Sequence, residues 1–251
     1  MIQKDLIRDR SEEPVRLNKY MSDSGFCSRR EADRLIEAGK VLIDGNIAKL
    51  GDRVLPGQEV TACGKLLTPS SELILLALNK PAGIECTTDR TNPDNIIDFV
   101  GYPERVYPVG RLDKNSTGLI LLTNTGELVN RILKSSNYHE KEYLVTVEKD
   151  LTEEFLKKMR SGVTIEIDNE NRTVTTRPCK VEKKNQRTFN IVLTQGYNRQ
   201  IRRMCRALGY HVRELKRIRI MNLLLGDLKE GTFREVTTEE IRELVRRLKN
   251  E

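Results

Sequence analysis

The segment Val109-Gly110-Arg111-Leu112-Asp113-Lys114-Asn115-Ser116-Thr117-Gly118-Leu119-Ile120-Leu121-Leu122 constrains the fold of this 251-residue chain more than any other stretch. Leu119 to Leu122 read as a strand, and Val106 and Val109 mark a second one before it. Gly110 and Gly118 give the connection the backbone freedom a tight turn needs. Asp113 is thereby expected on a short loop held at both ends by sheet. An acid in that place is either a turn residue or a functional group on a rigidly positioned loop. Both readings stay open on this segment alone.

The chain around it divides by pattern. Residues 1–14 are polar and without period, which predicts a mobile tail. Leu17, Tyr20 and Met21 then share a helical face, and Ser28-Arg29-Arg30-Glu31 is a capping box that opens a second helix burying Ala32, Leu35 and Ile36. Val41-Leu42-Ile43 enters an Asp44-Gly45 hairpin turn. Arg16, Lys19, Arg29, Arg30, Arg34 and Lys40 lie on the surfaces left over and could track a phosphate backbone. Acids nearly balance them, so a solvated helix surface fits them equally well. Residues 15–62 resemble the small RNA-binding module of the ribosomal protein S-four type, which tips that balance toward RNA. A linker is expected at 63–72 and a larger domain over 73–251. There, strands are predicted at Leu73–Leu78, around Tyr143, Val145 and Val147, and at Val163–Ile167, Cys179–Glu182 and Phe189–Thr194. Helices are capped near Asn124, Asp150 and Thr237. The pattern is mixed α+β, many strands with few long helices.

Charge narrows the partner. The net charge is +7, and between Arg199 and Arg219 eight Lys/Arg face one acid, Glu214, so the excess is a local stripe. Arg199, Arg202, Arg203 and Arg206 fall at i, i+3, i+4 and i+7, with Ile201, Met204, Cys205 and Leu208 opposite and Gly209 as the stop. Such a face suits a polyanion. No apolar run approaches the roughly 18 residues of a membrane span, and the charged start is unlike a signal peptide. A cytoplasmic protein is expected. Five scattered cysteines, none paired as Cys-x-x-Cys, read as free and mostly buried thiols, and two histidines offer little for a metal site or a Ser-His-Asp triad. Glycine-rich phosphate loops are missing, so a nucleotide cofactor is not expected, and no metal is expected from so few histidines.

Gly110-Arg111-Leu112-Asp113, Lys141-Glu142-Tyr143-Leu144-Val145 and Asn198-Arg199-Gln200-Ile201-Arg202-Arg203-Met204 stand in an order that resembles the A-type bacterial pseudouridine synthases, named for the small ribosomal subunit. His139-Glu140-Lys141-Glu142-Tyr143 and Arg217-Ile218-Arg219-Ile220-Met221-Asn222 are similar to the F-type synthases that modify 23S rRNA. The likeness runs from about residue 15 to about 245. It implies a pseudouridine synthase fold with a central, mainly antiparallel mixed sheet and flanking helices, attached to the N-terminal α/β module.

The resemblance also implies roles. Asp113 matches the essential aspartate, Tyr143 the aromatic residue lining the uracil pocket, Arg202 the basic partner of the aspartate, and Arg111 the position that fills the gap left by a flipped base. Asn79-Lys80-Pro81 matches a strand motif supporting the site, and Lys80, Arg199, Arg203 and Arg206 are taken as RNA contacts. Leu215 or Ile218 matches an apolar contact beneath the base. An Asp113–Arg202 ion pair is expected. The implied substrate is a 23S rRNA uridine near the peptidyl-transferase centre, free or in a pre-ribosomal particle, with a tRNA anticodon uridine as a second target. A neighbouring 23S uridine or one in 16S rRNA is the alternative within the activity. A non-catalytic RNA-binding ribosome-assembly factor is the alternative outside it. The protein is expected to act as a monomer away from membranes.

Overall fold

The computed structural model describes residues 13–134, 138–167 and 172–249. All but the last two residues of the expected 1–14 tail lie outside the described residues. The chain forms two compact units. The smaller takes the chain up to Ile74 with Tyr102–Val106 and Thr123–Leu128; the larger takes Leu75–Gly101, Tyr107–Leu122 and everything from Val129.

In the smaller unit the helices Leu17–Asp23 and Arg29–Glu37 form as the pattern predicts, the second capped by the Ser28 hydroxyl accepting from the Glu31 N–H. Leu17, Met21, Ala32 and Ile36 meet Val41, Val54 and Val60 in one core. The expected linker at 63–72 is corrected. Lys65–Leu67 is a strand paired antiparallel to Val60–Ala62. Cys63 (φ 49°) and Gly64 (φ 76°) form the two-residue turn between them, as Asp44 (φ 49°) and Gly45 (φ 78°) do earlier. Two successive positive φ values match the right-handed twist of the strands they join. Cys63 is consequently exposed, against the expectation of buried thiols, while Cys86 and Cys205 are buried and all five cysteines are free.

A mixed sheet, nine-stranded among the described residues, organises the larger unit. Its main path runs Lys180–Lys183, Thr188–Leu193, Lys141–Val147, Val212–Ile220, Thr117–Thr123, Leu75–Lys80, Phe233–Glu235. The first four strands pair antiparallel in turn, as do the last two. Val212–Ile220 instead lies parallel to Thr117–Thr123, with Arg217 opposite Gly118. All six residues of Leu75–Lys80 are buried, as are Gly118 to Thr123. Strands covered on both faces read as continuous apolar runs, which is why these two were legible. Helices Glu153–Ser161 and Gln200–Ala207 cover one face through Phe155, Leu156, Met159, Ile201, Met204 and Cys205. Thr152 caps the first of these helices, in place of the expected Asp150. The last helix, Thr238–Lys249, buries Ile241, Leu244, Val245 and Leu248. Thr237 and Glu240 cap it reciprocally.

The basic stripe is not one surface. Arg199 precedes its helix in a left-handed conformation (φ 51°), and the segment beyond Gly209 is a strand, Val212–Ile220. Among the described residues no helix is long and apolar enough to cross a membrane.

Candidate active site

The Asp113 loop is held from four sides. Val109 donates its N–H to Leu121 O at 2.8 Å, and Ser116 N–H closes a turn onto Asp113 O at 2.9 Å. The Leu112 N–H meets the buried Cys86 sulfur at 3.4 Å, and Gly83 N–H reaches Lys114 O at 2.9 Å. The Asp113 carboxylate emerges from this frame 24% exposed.

Two guanidiniums converge on its Oδ2. Arg202 Nε stands at 3.6 Å and Arg199 Nη1 at 3.5 Å. Arg202 is fixed by donating to Val212 O (3.2 Å) and Ser116 Oγ (3.4 Å), and its side chain is 15% exposed against 48% for Arg199. Burial, and then the like charge of Arg199, push the Arg202 guanidinium below its ordinary value, with Asp113 acting in the opposite sense. The expected Asp113–Arg202 pair is present, and Arg199, expected to touch RNA, shares the same oxygen. The helix start therefore sets one half-buried and one exposed cation against a single carboxylate.

A cleft of about 1000 Å³ opens over this group. Tyr143, half-buried on the strand Lys141–Val147, lines it, as do Arg111 and Leu215. Of the two apolar candidates Leu215 lines the cleft; Ile218 is not among its walls. Arg111 is exposed at the loop start. Arg203 donates to Glu166 O and to Asn198 Oδ1, and Arg206 is exposed on the far end of the helix. In the smaller unit Arg16, Arg29, Arg30, Arg34 and Lys40 are exposed, while Lys19 is half-buried and tied to Asp23 at 2.7 Å.

Lys80 requires a correction. It is fully buried, and its ammonium donates to Pro81 O (2.8 Å), Ile84 O (2.8 Å) and Lys114 O (3.1 Å), so it faces no RNA. It acts instead as a cross-brace, tying the end of a buried strand to the residue next to Asp113. Burial lowers its pKa from the ordinary lysine value. Lys80→Met should leave three carbonyls without their donor and a strand end without its brace, and cost about 3 kcal/mol, readable as a lower urea midpoint at constant slope.

Two residues of this region are not signalled by the sequence pattern. Arg217 is 3% exposed and donates Nε–H to Leu119 O at 2.6 Å; it shares an inward strand face with Leu215, a period-2 signal hidden by the run of charges. Lys141 lines the cleft, and burial, then the charge of Arg217, lower its pKa to about 8. The unfolded chain holds this proton up to about pH 10, whereas the folded protein releases it near pH 8. Between those values the unfolded state binds more protons, so stability rises with pH across that window, by an amount on the order of 2 kcal/mol. Guanidinium titrations at pH 8 and pH 10 should show this rise in the wild type and a much smaller one in Lys141→Met. Among the described residues no group of three or more His, Cys, Asp and Glu is placed to hold a metal ion.

Known proteins resemble the chain over both of its parts. A family model described as RNA pseudouridylate synthase matches residues 74–207, and one described as S4 domain matches residues 15–60. The chain is 52% identical to the dual-specificity RNA pseudouridine synthase RluF of Escherichia coli (strain K12) over 238 residues, 94% of this chain and 80% of that protein. It is 34% identical to the ribosomal large subunit pseudouridine synthase B of Bacillus subtilis (strain 168), over 91% of this chain and 95% of that one. A solved pseudouridylate synthase superposes with a TM-score of 0.65 at 31% identity, covering 93% of this chain and 99% of the other.

Proposed function

The chain belongs to the RNA pseudouridylate synthase family, with an S4 domain ahead of the synthase domain, and we propose that this isomerase converts a uridine of 23S rRNA to pseudouridine, with a tRNA uridine as a second substrate. The observation that carries the site assignment is the Asp113 carboxylate held between Arg199 and Arg202 at the floor of a cleft lined by Tyr143. The names of two relatives, one dual-specificity and one acting on the ribosomal large subunit, support the choice of RNA.

The reaction breaks the bond from C1' to N1, turns the uracil, joins C1' to C5, releases the C5 proton to solvent and takes up a proton at N1, so the product is an isomer. Nothing is oxidised and no group leaves the nucleotide. A uridine in folded RNA must first be extruded, at a cost of roughly a few kcal/mol. Arg111, exposed at the rim, fills the gap so created. Tyr143 then offers its ring to the freed base, a contact worth roughly 1 to 3 kcal/mol, and Leu215 packs beneath. Asp113 acts as nucleophile or base, and Arg202, 3.6 Å from its Oδ2, aims it. Exposed Arg16, Arg29, Arg30, Arg34 and Lys40, with Arg203 and Arg206, bind phosphates and so set which RNA is presented. The protein works on RNA in the cytoplasm as a monomer.

Incubation with transcribed 23S rRNA, 16S rRNA and tRNA, followed by pseudouridine mapping through carbodiimide adducts that stop reverse transcriptase, tests the substrate. A single new stop in 23S rRNA, with or without one in tRNA, is expected. A stop confined to 16S rRNA would overturn the assignment.

A further inference from the structure

Tyr138 is 60% exposed and adopts φ 54°, a left-handed conformation that bulky side chains seldom take. The Arg177 guanidinium lies over its ring, 4.1 Å from the centroid. Neither lines the cleft, but each adjoins a residue that does. His139, the next residue, lines it, and Gln195, another wall residue, accepts the Arg177 backbone N–H through Oε1 at 3.1 Å. A second exposed aromatic, Tyr197, lines the cleft. The core of the unit makes no use of the Tyr138 ring, which remains largely in solvent with a cation fixed against it.

We propose that Tyr138 and Arg177 form a stacking subsite for an unpaired base of the substrate RNA that flanks the uridine entering the cleft. The proposal rests on the reading of that cleft as an RNA isomerase site. Extruding one nucleotide unstacks its neighbours, and a displaced base needs a flat π-surface with a cation nearby. Every base has a π-face, so such a platform recognises an unpaired nucleotide without reading its sequence. The guanidinium strengthens the ring as a platform and adds positive charge close to the adjoining phosphate. A docked protein segment would use the same ring, but the neighbouring cleft and the net positive charge favour a polyanion.

The test measures filter-binding affinity for transcribed 23S rRNA, tritium release from the same RNA labelled at uridine C5, and thermal midpoint, for wild type, Tyr138→Ala and Tyr138→Phe. The expected result is about tenfold weaker binding by Tyr138→Ala, binding within about twofold of wild type by Tyr138→Phe, and unchanged midpoints and release rates at saturating RNA. Wild-type affinity in Tyr138→Ala, or a loss that tracks a lower midpoint, would overturn the subsite. If wild type binds the transcript and releases no tritium, the isomerase reading fails, while weaker binding by Tyr138→Ala would still support the subsite.

Discussion

Asp113→Asn should lower single-turnover tritium release by about 10³-fold or more while RNA affinity stays within about twofold. Asn preserves the side-chain volume, and the turn closed by Ser116 N–H uses the backbone oxygen, which the substitution leaves in place. What disappears is the negative charge, and with it any capacity of this side chain to act as nucleophile or base. Binding depends on other groups: the exposed cations and the Tyr143 ring. Arg202 keeps its bonds to Val212 O and Ser116 Oγ, so the helix start stays in position. Release within tenfold of wild type would remove Asp113 from the chemistry.

Gly118→Ala is expected to destabilise the larger unit by more than about 4 kcal/mol, among the largest effects of any single substitution. Gly118 has φ 97°, a region L-residues rarely enter, and a Cβ there would collide with Arg217 O and lie 2.7 Å from Arg217 N. Both are backbone atoms of the paired strand, in a parallel pairing at the middle of the sheet, so neither can move without opening it. The same shift would disturb the Arg217 to Leu119 hydrogen bond and the loop that carries Asp113. Circular dichroism during urea unfolding should show a large fall in midpoint, or no folded protein at all. An unfolding free energy within about 1 kcal/mol of wild type would mean that the strands do not approach as described.

How much of this was legible in the sequence follows from how strongly each element is signalled locally. The two short N-terminal helices, the strand Thr117–Thr123 and the last helix were readable because capping residues and uninterrupted apolar runs mark them. Their apolar residues also lie where the pattern puts them. The Cys63-Gly64 hairpin escapes notice because its first residue is not the Asn or Asp that usually signals such a turn. Val212–Ile220 is hidden because charged residues occupy most of it, and only pairing with two other strands reveals which of them face inward. Around the site, it is the resemblance to the pseudouridine synthases that implies Asp113, Tyr143 and Arg202 form one group. The positions of Lys80, Arg199 and Arg217 depend on tertiary contacts that no spacing encodes. A lysine beside a proline looks like a surface cation until three carbonyls are seen to surround it.

Tritium release from 23S rRNA transcribed with uridine labelled at C5 tests the central claim most directly, with wild type and Asp113→Asn run side by side. The account predicts that wild type releases tritium to a plateau equal to one uridine per RNA molecule and that Asp113→Asn releases none above background. Equal release by both proteins, or none by either while both bind the RNA, would contradict it.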